Sequence, residues 1–216
     1  MHETQIGKTR LEAFSDGLIA IIITIMVLEL KVPHHASLDS IAGLAPVLLS
    51  YALSFLLVSV MWVNHHHVIH TVQKVDGKLL WTNINLLFWM SLIPFVTGLL
   101  GESDGAPLPA ALYGGDLSMC ALGFLLLRSE ISKQHQDKPE LVAHHKAMIK
   151  KNIFSVVIYG LSIPLAYVSV YFSYFIFVLI PAMYFVPEKK LPLLLGKEVQ
   201  DKSSERSLAD LSKRLH

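Results

Sequence analysis

The sequence predicts an all-α integral membrane protein with six transmembrane helices per subunit, and three observations carry that prediction. Hydrophobic residues make up 53% of the 216-residue chain and charged residues only 16%, against roughly 25% charged in an ordinary soluble domain. Apolar stretches suited to crossing a hydrocarbon core recur at about 11–30, 41–63, 79–100, 110–127, 152–171 and 173–187. The basic residues then sort by side. Lys8, Arg10, Lys74, Lys78, the group from Arg128 to Lys151, and Lys189-Lys190 share one face, and Lys31 stands on the other. Five spans would put Lys189 and Lys190 outside, against the positive-inside tendency, so six spans with both termini cytoplasmic are predicted. On this division residues 1–187 form the membrane unit and 188–216 a cytoplasmic tail. Leu208, Leu211 and Leu215 in that tail suggest a short amphipathic helix.

The first span, Leu11 to Leu30, is unusual because its apolar run carries Phe14-Ser15-Asp16-Gly17 near the start. A carboxylate inside such a helix costs about 2.5–3.5 kcal/mol at mid-membrane, somewhat less near an end, so Asp16 needs a compensating partner. Ile21, Ile25 and Leu28, with Thr24 beside them, follow the i, i+4, i+7 spacing of one helix face. That stripe either lines a pore or simply packs, since nearly every residue from Leu18 to Leu28 is apolar; Thr24 can also bond back to the Ala20 carbonyl. The segment is expected to be retained, for Asp16 and the absence of an A-x-A site argue against a signal peptide.

Beyond it, Pro33 stops the helix and Asp39-Ser40 offers a cap for the second span. That span ends in Trp62-Val63-Asn64-His65-His66-His67-Val68-Ile69-His70. His66 and His70 lie one turn apart, as paired metal ligands would, yet no nearby acid or cysteine completes a tetrahedral set; an interfacial cluster that hydrogen-bonds and titrates is the other reading. In the third span Asn83 and Asn85 cannot share a face, so at least one points to protein, within reach of Asp16 or the Trp62 indole, and Pro94 would kink the helix. An acidic turn from Gly101 to Pro109 leads into the fourth span, where Asp116 is a second embedded acid, placed near the outer end where water reaches it. Arg128 to Lys151 reads as a cytoplasmic loop. Its interspersed acids and lack of alternating aromatics argue against a nucleic-acid surface. The uncharged run from Ile153 to Val186 is too long for one span and divides near Tyr171 to Tyr174. Cys120 is the only cysteine, so neither a disulfide within the chain nor a cysteine metal motif exists, and no cofactor is expected.

Arg10-x-x-x-Phe14-Ser15-Asp16-Gly17, followed by Trp62 with His65 and His66, then Trp81, Asn83 and Pro94-Phe95, resembles the signature of the transmembrane protein 175 family across the first three spans. The last three match only as generic hydrophobic helices. The resemblance implies a potassium-selective channel rather than an enzyme: a homotetramer in a lipid bilayer, here a prokaryotic plasma membrane, assembled around a central pore lined by the first helix of each copy. Carried over, Ile21, Ile25 and Leu28 become constriction layers and Thr24 the hydroxyl layer tied to selectivity. Arg10, Ser15, Asp16, Trp62, His65 or His66, and Asn83 match a structural polar network. Three consecutive histidines, His65 to His67, leave open which of them joins it. No TVGYG-like filter segment is present. The residues also admit a proton-coupled secondary transporter using Asp16, Asp116 and the histidines and, further off, a metalloenzyme built on His65 to His70.

Overall fold

The computed structural model describes residues 7–33, 37–135 and 139–184, so the predicted tail at 188–216 and Lys189-Lys190 lie outside the described residues. All regular structure among them is helical: α1 (Lys8–Leu28), α2 (Leu38–Gly43), α3 (Ala45–His70), α4 (Gly77–Gly101), α5 (Pro107–Ser132), a 3-10 turn (Lys133–His135), α6 (Pro139–Val168) and α7 (Val170–Tyr184). Five of these helical stretches are long and apolar enough to cross a membrane, and α7 is a shorter apolar helix. This is a multi-pass membrane protein. One end of the bundle, called here the basic end, gathers Lys8, the α3 histidines, Lys74 and Lys133; the other, acidic end carries Glu29, Glu102 and Asp104.

Each boundary follows from local chemistry. Asp76 caps α4 by accepting from the Leu79 amide at 2.8 Å. Ser37, rather than the expected Asp39-Ser40, caps the short α2, accepting from the Ser40 amide at 3.1 Å. A turn at Leu44 then separates α2 from α3, which has proline in its first turn, where the missing N–H is no loss. Asp104 and Gly105 turn the chain between α4 and α5 with φ of 46° and 79°, left-handed values that glycine adopts without strain.

Two expectations are corrected. The stretch from Arg128 to Lys151 is mostly helix, not loop: α5 runs on to Ser132 and α6 begins at Pro139. Leu141, His145 and Asn152 recur on one face of α6 and are buried, which gives this polar segment a reason to stay helical. The break before the last helix falls at Ser169, just ahead of the predicted Tyr171 to Tyr174. Pro94 lies inside α4, which continues as helix to Gly101.

Helix α5 is the spine. It packs on α4 along one flank and on α6 along the other, while α1 lies against α3 and α4. The α4–α5 approach is close enough that a Cβ on Gly123 would sit 2.9 Å from the Leu86 Cα. Gly123→Ala is therefore expected to lower the thermal unfolding midpoint in detergent by overpacking, a loss of about 1–3 kcal/mol. Gly43→Ala, which meets nothing within 4 Å, should leave that midpoint unchanged when both are followed by tryptophan fluorescence.

Candidate functional site

Helix α1 has two faces. Leu11, Ser15, Ile19, Ile22 and Met26 are buried against α3 and α4. Away from them Ile21 is 57% exposed, Ile25 42% and Leu28 77%, so among the described residues much of the aliphatic stripe is left uncovered. Thr24 is exposed between them, and its hydroxyl donates to the carbonyl of Ile21 at 2.9 Å, not to that of Ala20. A groove of about 440 Å³ runs between α1 and α4, with Ile21 and Ile25 on one wall and Pro94 and Phe95 on the other. Glu29, Lys31 and Glu102 stand at its acidic end. Lys31 donates to Glu102 at 2.6 Å. That hydrogen bond and the carboxylate's charge hold the Lys31 ammonium above its ordinary pKa; both side chains are exposed, so the pair adds little to stability.

Towards the basic end three helices are tied by a buried chain of hydrogen bonds. His65 Nε2 lies 2.8 Å from Asn83 Oδ1. Asn83 Nδ2 donates to Ser15 Oγ at 3.0 Å, and Ser15 donates to the Leu11 carbonyl at 2.9 Å. With Asn83 oriented this way, its oxygen accepts, which places a proton on His65 Nε2. The three side chains belong to the buried stripes of α3, α4 and α1, at 1%, 0% and 0% exposure. Beside this chain the Trp62 indole donates to Asp16 Oδ1 at 2.9 Å, on the outer side of α1.

The structure thus brings Ser15, Asp16, Trp62, His65 and Asn83 together and leaves two of the expected network residues aside. Arg10 is exposed and bonds to no described side chain. His66 is also exposed; its ring lies 6.1 Å from that of Trp62, in contact without a hydrogen bond. Among the three histidines the buried chain takes His65.

Sequence reading underestimated α5. Asp116 is not at a wet outer end: it is 6% exposed, and neither carboxylate oxygen has a hydrogen-bond partner among the described residues. One turn before it the Tyr113 hydroxyl lies 2.8 Å from Ser54 Oγ, which accepts from Thr97 at 2.7 Å, so α3, α4 and α5 share a second buried polar contact. Its signal was a set of hydroxyls inside apolar runs, which sequence alone does not align across helices. Among the described residues no group of three or more His, Cys, Asp or Glu is arranged to hold a metal ion.

The family model described as endosomal/lysosomal potassium channel TMEM175 matches residues 10–94, the segment that contains both the exposed stripe and the polar chain. A protein of Chryseobacterium sp. (strain P1-3) named as a potassium channel is 41% identical over 184 residues, covering 85% of this chain and 95% of its own. The chain belongs to the TMEM175 family. A second relative, from Chamaesiphon minutus (strain ATCC 27169 / PCC 6605) and also named as a potassium channel, is 34% identical over 175 residues, or 76% of this chain and 86% of that protein. The crystal structure of a lysosomal potassium-selective channel TMEM175 homolog from Chamaesiphon minutus superposes with a TM-score of 0.74 at 30% identity, covering 83% of this chain and 96% of that one. These TMEM175 relatives are named as channels, not enzymes.

Removing the middle of the buried chain should be costly. Asn83→Ala strands His65 and Ser15 without water, so a loss of about 1–3 kcal/mol is expected in thermal unfolding of the detergent-solubilised protein. Trp62→Phe removes only a half-exposed bond and should shift the same transition less.

Proposed function

We propose that the chain is the subunit of a homotetrameric potassium channel, in which α1 of each copy lines a central pathway and Ile21, Ile25 and Leu28 form its constriction. The observation that carries this reading is the unpartnered face of α1. A stripe of isoleucine and leucine would be at home against lipid, but the exposed side of α1 also carries the Thr24 hydroxyl beside the stripe and, further round the helix on the α3 flank, the Asp16 carboxylate. Facing hydrocarbon, Asp16 alone would cost about 2.5–3.5 kcal/mol at mid-membrane. Cover from another copy, or contact with water along a shared axis, removes that cost. Ala13, Gly17, Ala20 and Thr24 recur along the exposed side of α1, and small residues at such spacing let neighbouring helices approach closely.

The pathway on this reading has no carbonyl-lined filter. A ring of Ile21 side chains offers an ion no ligands, so a closed ring blocks conduction by dewetting and an open one passes a hydrated ion. Thr24 gives its proton to the Ile21 carbonyl, so its oxygen presents lone pairs to the pathway, the polarity a cation requires. Glu29 and Glu102 at the acidic end raise the local cation concentration. Arg10, exposed and bonded to no described side chain of its own subunit, would meet a neighbouring one and extend the polar network there. With both termini cytoplasmic, in a prokaryotic plasma membrane, the acidic end faces outward.

A second reading, proton-coupled secondary transport, draws on the unpartnered Asp116 carboxylate. Saturable uptake that requires a proton gradient would favour it, whereas passive flux favours the channel.

Ile21→Asn should wet the constriction and raise potassium flux from proteoliposomes about tenfold, equivalent to roughly 1.4 kcal/mol off the barrier, with the tetramer intact. Unchanged flux in an intact tetramer excludes the constriction assignment. Asp16→Asn should instead lower the tetramer fraction seen by light scattering; if the tetramer persists and only flux changes, Asp16 acts in the pathway and not in assembly.

A further inference from the structure

We propose that His66 and His70 form a binding site for a borderline divalent cation such as Ni²⁺ or Zn²⁺ at the basic end of α3. They stand four residues apart on an exposed helical face with their rings 6.1 Å apart, the spacing by which one helix offers two imidazoles to one ion. Neither side chain donates or accepts a hydrogen bond among the described residues, and the His66 ring lies against those of Trp62 and His67 as well as His70. Two nitrogens about 2.0–2.1 Å from a shared ion bring the ring centres to about 5 Å, so a closure of about 1 Å by side-chain rotation completes the pair.

The electrostatics favour a cation here. The site lies in the last two turns of α3, where the unsatisfied carbonyls carry the negative end of the helix dipole. Asp16 is next to it through Trp62. The opposing charge is Lys8, whose ammonium donates to the His70 carbonyl at 2.6 Å. No third protein ligand is arranged among the described residues, so water fills the remaining positions. That makes the site a labile, regulatory type rather than a structural one.

Its position suggests the consequence. An ion bridging His66 and His70 fixes the His66 ring against Trp62, whose indole holds Asp16 on α1. Binding at the end of α3 thereby stiffens the contact that sets α1, and occupancy lowers flux. Ion binding stands independently of the channel reading; the effect on flux rests on it.

The two parts are tested separately. Protein without a polyhistidine tag is titrated with Ni²⁺ by calorimetry in detergent, as wild type, His66→Ala, His70→Ala and His67→Ala, each checked by size-exclusion chromatography. Wild type and His67→Ala should bind one ion per subunit, and each of the other variants should bind roughly 10²-fold more weakly, the advantage of two ligands on one rigid helix over a single one. Absence of binding to the wild type, or equal affinity in His70→Ala, overturns the site. In proteoliposomes with Ni²⁺ on both sides, potassium flux of the wild type should fall and recover with chelator, while that of His70→Ala should not respond. Binding in calorimetry without any change in flux retains the site and overturns its coupling to α1.

Discussion

The hydrogen bonds joining His65, Asn83 and Ser15 are the constraint on which the arrangement of the first three long helices depends. In a membrane, apolar side chains slide past one another with little preference, because lipid tails are as apolar as leucine. Buried polar groups do not slide. Asn83 satisfies Ser15 with its amide nitrogen and His65 with its oxygen, so a shift of α1 by one residue would break one bond and strand its partner. Interhelical hydrogen bonds in membranes contribute only about 0.6 kcal/mol each on average, so their value here is in register more than in affinity. With Ser15 held inward, the helical period turns Thr24 and its neighbours outward.

The rest of the subunit acts as a brace for that unit. Helix α5 presses glycine 123 onto Leu86 of α4, and the Thr97–Ser54–Tyr113 hydroxyls tie α3, α4 and α5 towards the acidic end. At the basic end Gln134, just beyond α5, accepts from the amides of Gln73 and Lys74 and donates to the Lys74 carbonyl. A single side chain thus closes the turn between α3 and α4 and holds it to the extended end of α5. The polar cluster lies between these clamps, and α1, which packs on α3 and α4 and not on α5, carries the exposed aliphatic stripe.

The helical membrane class was legible in composition and in the run of apolar segments, because a hydrocarbon core imposes length and polarity directly. The boundary of α6 was not legible: Lys146, Lys150 and Lys151 mark polarity, but polarity does not separate loop from a helix that extends past the membrane. Within the cluster, the need of Asp16 for a partner was legible from its cost, and the sequence offered both Trp62 and Asn83. Packing decides between them, giving Trp62 to Asp16 and Asn83 to the buried chain. The same limit applies to His65, His66 and His67. Consecutive helical residues point about 100° apart, so only one of the three can face α4, and nothing in a run of identical residues says which. Asp116 was misjudged because depth was inferred from distance to the loop, whereas its burial comes from its neighbouring helices.

The two polar clusters differ in how they meet their desolvation cost, and that difference bears on assembly. Ser15, His65 and Asn83 are satisfied within one chain, so they demand nothing further. Asp16 is not: one oxygen accepts from Trp62, and a carboxylate has acceptor sites for about four hydrogen bonds. Its remaining capacity points away from the subunit, on the same helix whose aliphatic stripe is exposed and near an Arg10 that bonds to no described side chain. An acceptor and a donor left open on one helix are complementary when copies meet around an axis. The proposed tetramer uses that complementarity, so the residues that give α1 its internal register also turn outward polar groups that assembly, or water at an axis, would satisfy.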